Sequence, residues 1–566
     1  MIQHDVLIVG GGLAGMRAAY EAKSMGADVA MVSKIYPTRS HSAAAQGGMQ
    51  AALTAEDSWE SHSYDTVKGS DFLGDQDAIQ ILCREGIDDI ITLERMGVIF
   101  NRTEDGKIDA RAFGGTSAKR TCFVADQTGQ VILHVMWEQL LKQGLKCYDE
   151  WFVMELVVEE GRCTGVVAMQ IATGQLHLIR AKSVVLCTGG IGQVYSPTTN
   201  GLAVTADGMA LAYRAGASLM DMEMVQHHPT CLHNGILITE GARGEGAYLL
   251  NANGDRFMSK YAPKFHELAS RDVVSRSEQT EINEGRGVNG FVFLDLRHLG
   301  REAIMTKLSQ IYYLARDYAG VNVIEQPLPI RPGHHYMMGG IKTDTEGRTW
   351  DISGQNKWTG IPGLFAAGET ANVSVHGGNR LGGNSLLDTV VFGRRSGRGA
   401  TEYARTVGFG SISEEMAVQP TRDKIKRLFD RPSGLRAATL RFKMGRAMND
   451  GVAVFRSEET MSNAQRAVRE AKADLSKVSV HNKGRVFNTD LLSVLELEGM
   501  LDVAEVIATS ALNRKESRGA HSRTDFPERD DENWLKHQVA TRTPEGPKLS
   551  FLEVHLGTWK PVVRSY

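Results

Sequence analysis

The stretch DVLIVGGGLAG, residues 5–15, decides the fold of the chain. Its first half is apolar and predicts a buried parallel strand, and a helix-forming segment, residues 16–22, follows it. Between them, Gly10, Gly12 and Gly15 have the GxGxxG spacing. In this context the first glycine permits a tight turn, the second admits a pyrophosphate, and the third lets the helix pack on the strand. The stretch therefore predicts a dinucleotide-binding domain at the start of the chain.

The next strand indicates which dinucleotide is bound. It is predicted for residues 28–32 and ends in Ser33 and Lys34. An NAD-binding strand would carry an acidic residue about 20 residues after the glycines, where it binds the ribose. Because that acid is absent, the sequence favours FAD over NAD.

Bulk composition excludes several function classes. At 566 residues the chain is too long for a single core, and we expect roughly two to four domains. A formal net charge of -3 gives no support to nucleic-acid binding. The six cysteines are scattered without a CxxC pair, which argues against zinc, iron–sulfur clusters or attached haem and favours free thiols in a reducing cytoplasm.

The chain shows no sign of a targeting segment or a membrane span. Its first residues lead directly into the predicted strand, so we expect no signal or transit peptide. There is no apolar run of about 18 residues or more. We therefore expect any membrane association to come through another subunit.

A second motif, TRSHSAAAQGG at residues 38–48, follows the dinucleotide turn. It places one histidine, His41, among small residues and ends in two glycines, where backbone can pass close to a flat ligand. A lone loop histidine is more often a solvated side chain or a hydrogen-bonding core residue. The whole motif, however, resembles the flavin-attachment segment of succinate dehydrogenase/fumarate reductase flavoprotein subunits.

Five more motifs occur in the order of that family. They are HHPT (227–230), TEGARGEG (239–246), SRDVVSR (270–276), HHYMMGG (334–340) and GGNRLGGNSLLD (377–388). The resemblance runs from Val6 to about Trp534. It implies an α/β fold class, in which an FAD-binding two-dinucleotide-fold (Rossmann-like) domain carries an inserted α/β capping domain, followed by a helical domain and a C-terminal tail domain. The boundaries we predict are 1–230 and 333–412 for the FAD-binding domain, 231–332 for the capping domain, 413–514 for a three-helix domain and 515–566 for the C-terminal domain.

The resemblance implies that FAD is bound covalently through His41. It also implies that the FAD contacts come from the glycine turn, the attachment motif and later loops, namely Gly10, Gly12, Gly15, Ser33, Lys34, Ser40, Ser42, Gln46, Gly47, Gly48, Asp207, Glu369, Ser385 and Leu386. Asp207 opens a predicted helix, so it is a helix cap, an FAD contact, or both. The loop before Ser385 enters a helix whose N-terminal amides would help to stabilise negative charge on reduced flavin.

The family interconverts succinate and fumarate, which implies a site for a small dianion. The matching residues are His228, Thr239, His335 and Arg380. Arg380 has the planar fork that binds a carboxylate bidentately. Each histidine, taken alone, is equally well explained as a buried structural hydrogen-bonding residue.

The family's proton-transfer residue is an arginine, which corresponds here to Arg271. Arginine is normally protonated throughout, so it acts more readily as an acid, and it needs a relay to act as a base. Glu240 and Arg243 match the relay positions, and we predict the path Arg271–Glu240–Arg243. The alternative for Glu240 and Arg243 is a local ion pair, which contributes little if it is exposed.

The resemblance also implies partners. They are a separate iron–sulfur subunit, one or more membrane anchor subunits with quinone, and a flavin-attachment assembly factor. We expect the chain to be peripheral at the cytoplasmic face of the inner (cell) membrane, of bacterial or archaeal type, and to have no metal site of its own. Gln46 resembles the dehydrogenase members, whereas several reductases have Glu there, so succinate oxidation is favoured and fumarate reduction is the alternative.

Two rival functions remain open. L-aspartate oxidase shares the fold and much of the substrate site but lacks the attachment histidine, so His41 weighs against it. A non-catalytic flavin-binding electron carrier would not need the complete substrate set.

Other stretches support expectations about local structure. Residues 113–116 and 120–122 resemble another glycine-lined approach to flavin or substrate. Residues 57–98 have a helical pattern with surface positions for His62, Asp65 and Asp71, and residues 151–185 predict a β-meander. Helices are predicted within 421–449, 458–477 and 490–514, and the charged run 528–532 is expected to be solvated.

Overall fold

The computed structural model describes residues 2–351 and 358–565. Its strands, in chain order, are β1 (Ile2–Val9), β2 (Val29–Ser33), β3 (Met49–Gln50), β4 (Ala110–Arg111), β5 (Thr121–Cys122), β6 (Lys146–Asp149), β7 (Trp151–Glu159), β8 (Arg162–Gln170), β9 (Gln175–Leu186), β10 (Leu219–Met220), β11 (Val225–Cys231), β12 (Tyr248–Leu250), β13 (Val292–Asp295), β14 (Leu328–Met337), β15 (Gly340–Lys342), β16 (Leu364–Ala366), β17 (Ala371–Asn372), β18 (Phe455–Arg456), β19 (Ser522–Arg523), β20 (Lys536–Thr543) and β21 (Gly546–Glu553).

Helices alternate with these strands in the first half of the chain and dominate after residue 384. They are α1 (Leu13–Ser24), α2 (Trp59–Gly69), α3 (Gln76–Met96), α4 (Thr128–Lys142), α5 (Asp207–Ala215), α6 (Gly241–Gly244), α7 (Met258–Tyr261), α8 (Arg271–Asn283), α9 (Gly300–Lys307), α10 (Ser309–Leu314), α11 (Asn384–Ala404), α12 (Glu414–Asp430), α13 (Ala437–Gly451), α14 (Glu458–Asp474), α15 (Thr489–Asn513) and α16 (Asp531–Trp534). Among the helices described, none is both long and apolar enough to cross a bilayer.

The largest sheet is built on the strand of the opening stretch. Its order is β6-β2-β1-β9-β8-β7, with β16 also paired to β9. β1 lies parallel to both β2 and β9, while β7, β8 and β9 form the antiparallel meander that the sequence predicts. The predicted glycine packing is present, because a Cβ at Gly15 would lie 2.0 Å from the carbonyl oxygen of Gly10. Only glycine at this position lets α1 start so close to the strand.

An inserted unit has its own sheet and core. The sheet order is β11-β14-β13-β12, and all its pairings are antiparallel. A separate hydrophobic cluster runs from Leu232 to Ile330 and includes Val274 of α8. This cluster lies within the range 231–332 that we propose as the capping domain, although β11 begins earlier, at Val225.

The helical region has four helices in the part of the chain described, α12 to α15, where the sequence predicts three. The stretch 421–449 is not continuous, because α12 ends at Asp430 and α13 begins at Ala437. Pro432 and Gly434 lie between them. Proline disfavours helical backbone in the residue before it, which explains the break. The predicted single helix is therefore wrong here.

The C-terminal residues return to the first half of the chain. The hairpin β20–β21 extends the sheet β17-β15-β10-β20-β21, in which β20 pairs with β10. Of the charged run, Glu528, Asp531 and Glu532 are exposed as expected, but Arg529 is partly buried and its Nη1 lies 2.9 Å from Asp71 Oδ1. The solvated-face prediction is thus wrong for Arg529.

Three predicted surface residues on and after α2 are buried. His62 Nε2 lies 2.9 Å from Asn384 Oδ1, Asp65 pairs with Arg120, and Asp71 accepts a 2.8 Å hydrogen bond from Gly519 N. Helical periodicity predicts a polar face, but it does not tell whether that face meets solvent or another domain. The surface assignment is wrong for all three.

Candidate active site

A long cavity lies between the carboxyl ends of the parallel strands and the inserted unit. Its lining includes most of the predicted site residues, namely Gly10, Gly12, Ser33, Lys34, Ser40, His41, Ser42, Gln46, Gly47, Gly48, Asp207, His228, Thr239, Glu240, Arg271, His335, Glu369, Arg380, Ser385 and Leu386. Gly15 and Arg243 lie outside the lining, because the first packs α1 on β1 and the second is buried behind Glu240. Segments as far apart in sequence as Gly10 and Leu386, 376 positions, thus meet in one cavity, at the strand ends where ligands bind in open α/β sheets.

One end of the cavity is built around Lys34. Its ammonium donates to Thr205 Oγ1, to Asp207 Oδ2 at 2.8 Å and to Glu496 Oε1 at 2.7 Å. Burial alone would lower the pKa of Lys34, but the two carboxylates outweigh it and raise that pKa. Asp207 is the first residue of α5, and the cap of that helix is Ala206. The Asp207 carboxylate binds Lys34 and lines the cavity. Glu496 comes from α15 and was not predicted, because no local pattern links residues 462 positions apart.

The middle of the cavity suits a flat ligand carried on an extended polar chain. Its glycines bring backbone close to neighbouring groups: a Cβ at Gly47 would lie 2.5 Å from the Phe113 ring. Ser40 Oγ and Gln46 Oε1 are buried and make no hydrogen bond to the described residues. Such orphaned polar atoms are normally satisfied by a ligand or ordered water. The glycine cradle and unsatisfied polar groups fit a bound dinucleotide, and FAD is the one that the sequence favours.

His41 begins a short 3₁₀ turn, His41–Ala44, at the wall of the cavity. Its Nδ1 accepts a 3.3 Å hydrogen bond from the Gly201 amide. Burial lowers the pKa of His41 to about 4, so the ring is neutral at physiological pH. With Nδ1 engaged, Nε2 is the ring nitrogen left for another bond.

The other end of the cavity carries buried cationic and imidazole groups. Arg380 Nη1 donates to Ser385 Oγ at 2.8 Å, and the guanidinium carbon lies 4.3 Å from the centre of the Tyr336 ring. Burial and the charge of Arg271 lower the pKa of Arg380 to about 9. The Arg380 Nε is buried without a hydrogen-bond partner among the described residues. A guanidinium desolvated in this way is a strong binding group for an anion.

The two predicted substrate histidines lie side by side. The rings of His228 and His335 have centroids 4.9 Å apart, and His335 Nδ1 is 2.8 Å from Thr199 Oγ1. Burial and the nearby arginines hold the pKa of His228 well below its usual value, and burial does the same for His335, so both are neutral. Thr239 lines the same end, and its Oγ1 accepts a hydrogen bond from Gly241 N.

The three residues of the predicted proton path are contiguous. Arg271 Nε donates to Glu240 Oε2 at 2.7 Å, and Glu240 Oε1 lies 3.9 Å from Arg243 Nη2. Burial on its own raises the pKa of Glu240, but the charges of Arg271 and Arg243 outweigh it and keep that pKa below its usual value. The carboxylate is therefore ionised between two guanidiniums, and because all three side chains are buried, the local Glu240–Arg243 pair is not an exposed one.

Two further groups complete this end. Gly114 N donates to Glu240 Oε1 at 2.7 Å, so the loop around Phe113 holds the Glu240 carboxylate in place. Arg120, from the same predicted stretch, instead pairs with Asp57 and Asp65 away from the cavity. Gln226 was not assigned a role from sequence. Its Oε1 accepts hydrogen bonds from Arg380 at 3.0 Å and Arg271 at 3.2 Å, which holds two like charges together. Its place immediately before the HHPT motif was the one available signal.

Comparison with known proteins agrees with this architecture. A model described as FAD binding domain matches residues 5–386, and one described as Fumarate reductase flavoprotein C-term matches residues 441–566. The succinate dehydrogenase flavoprotein subunit of Rickettsia conorii is 46% identical over 551 residues, which cover 95% of this chain and 92% of that protein. The chain belongs to the succinate dehydrogenase/fumarate reductase flavoprotein subunit family.

Other members of this flavoprotein family match along the whole chain. The fumarate reductase flavoprotein subunit of Escherichia coli is 42% identical and covers 100% of this chain and 96% of its own length. A solved quinol-fumarate reductase with menaquinol molecules superimposes with a TM-score of 0.93 at 42% identity, and it covers 99% of this chain and 100% of that one.

Several sequence predictions are confirmed by these matches. The chain has the α/β FAD-binding domain with a capping domain and a C-terminal helical domain, and it is the flavoprotein subunit of a succinate dehydrogenase/fumarate reductase complex. It is an FAD-dependent oxidoreductase that acts in an assembly with other subunits. Individual residue roles, the covalent flavin bond and the direction of the reaction stay predictions.

Proposed function

We propose that the chain oxidises succinate to fumarate at an FAD bound covalently through His41 and passes the electrons to an iron–sulfur subunit. The observation that carries this proposal is that one cavity unites His41 and the glycine cradle with a buried, positively charged end. The residues proposed to bind the cofactor and those proposed to bind the dianion thus line the same cavity.

Charge balance supports a dicarboxylate substrate. Arg271 and Arg380 share Gln226 as acceptor, and Glu240 is the carboxylate in contact with Arg271. His228 and His335 are neutral, so they act as hydrogen-bonding groups and add no positive charge. A dianion would satisfy the free guanidinium donors, with Arg380 forming the bidentate contact.

Proton movement follows from the contacts of Arg271. FAD, when bound, supplies the ring that accepts a hydride from the substrate carbon. Because Arg271 is normally protonated, it first gives a proton to the ionised Glu240, whose Oε2 lies 2.7 Å from its Nε, and the proton leaves along the relay toward Arg243. The neutral guanidine of Arg271 then takes the proton from the neighbouring substrate carbon. Fixing the substrate between the cradle and Arg271 can lower the barrier by up to roughly 7–11 kcal/mol, the range that the best-oriented intramolecular reactions reach.

A covalent bond at His41 is supported by its hydrogen bonding and its neutral ring. Because Nδ1 accepts from the Gly201 amide, the proton of the neutral ring is on Nε2, and Nε2 is the nitrogen that would lose this proton and bond to the flavin. To test this, the complex is denatured in acid, separated on a gel and viewed under ultraviolet light. Fluorescence should migrate with the wild-type chain, disappear in His41→Ser, and persist in the control His134→Ser, which changes an exposed histidine of α4. A wild-type band without fluorescence would favour L-aspartate oxidase or a flavin carrier instead.

The partners we propose are an iron–sulfur subunit, membrane anchor subunits with quinone, and a flavin-attachment assembly factor. A quinone partner is supported by the similar solved quinol-fumarate reductase, which contains menaquinol. We place the chain at the cytoplasmic face of the cell membrane, held there by those subunits. Co-purification from native membranes, with iron analysis and succinate-dependent dye reduction, tests this, and absence of an iron–sulfur partner would overturn it.

Fumarate reduction is the second candidate. It is favoured by relatives named fumarate reductase at 42% identity, whereas Gln46 at the cavity wall favours oxidation. The ratio of succinate oxidation to fumarate reduction in the purified complex decides between them. A ratio below one at matched driving force would reverse our assignment of direction.

A further inference from the structure

Arg564, near the end of the chain, contacts two carboxylates from different parts of the molecule. Its Nη2 lies 3.0 Å from Asp71 Oδ2, in the connection between α2 and α3, and 2.7 Å from Asp272 Oδ2, on α8. Only 9% of the Arg564 side chain is exposed, against 5% for Asp71 and 0% for Asp272. The C-terminal segment therefore reaches a buried junction between the flavin domain and the inserted unit.

The two carboxylates need a cation between them. Burial and the charge of Asp272 act against ionisation of Asp71, although Arg564 and Arg518 outweigh them, so the pKa of Asp71 stays below its usual value. Two buried like charges repel strongly where water is excluded. Arg564 contacts both at once, so it converts a repulsion between the two parts into an attraction.

The two ends of this bridge are anchored differently. Asp71 is fixed to the flavin-domain side by Gly519 N at 2.8 Å and Arg529 at 2.9 Å. In the described part of the chain, the other side-chain partners of Asp272 are Ser270 and Arg276, which belong to the start of α8 itself. Arg276 also donates to the carbonyl oxygen of Gly519 at 2.7 Å, so Asp272 has an indirect link to that segment, and Arg564 is its direct link to residues outside α8.

Asp272 follows Arg271 directly. Both belong to the first turn of α8, and Arg271 Nε reaches Glu240 from there. A small rotation of this turn would move the Arg271 guanidinium relative to Glu240 and the cavity. Displacements of about 1 Å at such a group can reduce turnover about 100-fold.

We propose that Arg564 is a positioning residue, which fastens the first turn of α8 to the flavin domain through Asp272 and Asp71 and so sets the geometry of Arg271. The inference rests on the proposed function, because it assumes that Arg271 moves the proton. The C-terminal segment is then part of the active-site support and not only a tail.

The test uses the complete complex, with kcat and KM for succinate measured per covalently bound flavin. Arg564→Gln should lower kcat by about tenfold or more while KM changes by less than about threefold, because the substrate-binding groups stay in place. Arg564→Lys keeps the charge and should restore part of the loss. The matched control is Arg542→Gln, an exposed arginine of the C-terminal hairpin, which should behave as wild type.

A double variant separates positioning from general destabilisation. In Arg564→Gln, replacing Asp272 by Asn removes the repulsion between Asp272 and Asp71, so kcat should recover by about threefold or more. Wild-type kcat in Arg564→Gln, or a loss that neither Lys nor the Asp272→Asn change relieves, overturns the inference. If Arg564→Gln contains no flavin, the double variant decides: high kcat per flavin supports positioning and low kcat contradicts it. A wild-type complex that does not oxidise succinate refutes the proposed function instead, independently of these variants.

Discussion

At the scale of single residues, the state of Glu240 decides what the site can do. Burial favours its neutral form, and the two guanidiniums of Arg271 and Arg243 favour the carboxylate. The guanidiniums prevail because both are held by the fold, one by Gln226 and the other by the carbonyl oxygen of Glu267. An ionised acid next to a protonated arginine can take a proton from it, which the arginine needs to lose before it can act as a base.

The first prediction concerns Arg271 itself. Arg271→Lys keeps the charge but loses the fixed fork that reaches Glu240 and Gln226 together. We expect flavin to stay attached and substrate binding to be largely intact, while kcat falls by about 10²–10⁴-fold. Steady-state kinetics together with the fluorescent gel measure all three. Arg422→Lys, an exposed arginine of α12, is the control, and near-normal turnover in Arg271→Lys would remove Arg271 from the mechanism.

At the scale of elements, the approach of α1 to β1 fixes the position of the cofactor cradle. The helix starts at Leu13, whose amide donates to Ser42 Oγ of the attachment motif at 3.1 Å. Any shift of α1 would therefore move both the glycine turn and the segment that carries His41. The closeness of this approach depends on Gly15, the glycine that does not line the cavity.

The second prediction tests this approach. The Cβ in Gly15→Ala would meet the Gly10 carbonyl at 2.0 Å, so helix and turn must separate. We expect flavin content to fall by about tenfold or more and the free energy of unfolding to decrease by about 1–3 kcal/mol from overpacking. Flavin absorbance per chain and thermal unfolding measure the two effects. Gly408→Ala is the control because nothing lies within 4 Å of its added Cβ, and equal flavin content in both variants would show that the close contact is not needed.

At the scale of the whole molecule, a buried imidazolium joins the C-terminal hairpin to the first half of the chain. His537 of β20 lies 2.7 Å from Asp221 Oδ2 and 3.2 Å from Asp75 Oδ1. Burial alone would lower its pKa, but the two carboxylates outweigh burial and raise the pKa of His537 to about 10. The ring is thus charged at neutral pH and connects the C-terminal sheet to the residues before α3 and β11.

The third prediction is a pH dependence of stability. Because the pKa of His537 is raised from about 6.5 in the unfolded chain, its contribution is complete below pH 6.5 and is lost as pH rises through about 10. His537→Gln should destabilise the complex by about 3–5 kcal/mol near neutral pH, the cost of breaking a buried ion pair. The difference from wild type should shrink toward pH 10.

Thermal unfolding of the complex between pH 6 and pH 10 measures this difference. His555→Gln, an exposed histidine of the same C-terminal region, is the matched control and should leave the pH profile unchanged. A difference between wild type and His537→Gln that stays constant across this range would mean that His537 does not carry the charge.

Local chemistry made much of the molecule predictable from its sequence. The glycine turn, the strand that follows it and the meander are specified by neighbouring residues, so their positions agree with the structure. The six motifs also identified the family, because each concentrates unusual residues in a short segment. The helical region was less predictable, since the break at Pro432 lies inside an otherwise continuous apolar pattern.

The sequence by itself determined the dinucleotide turn, the candidate residues and the family, because these depend on residue type and short-range spacing. Only the tertiary structure decided that Glu496 binds Lys34, that Gln226 joins two arginines, and that His62 and Asp71 are buried. It alone placed Arg564 against Asp272, which is 292 residues away. Burial and charge pairing arise where distant segments meet, and the spacing within one segment contains no information about the other.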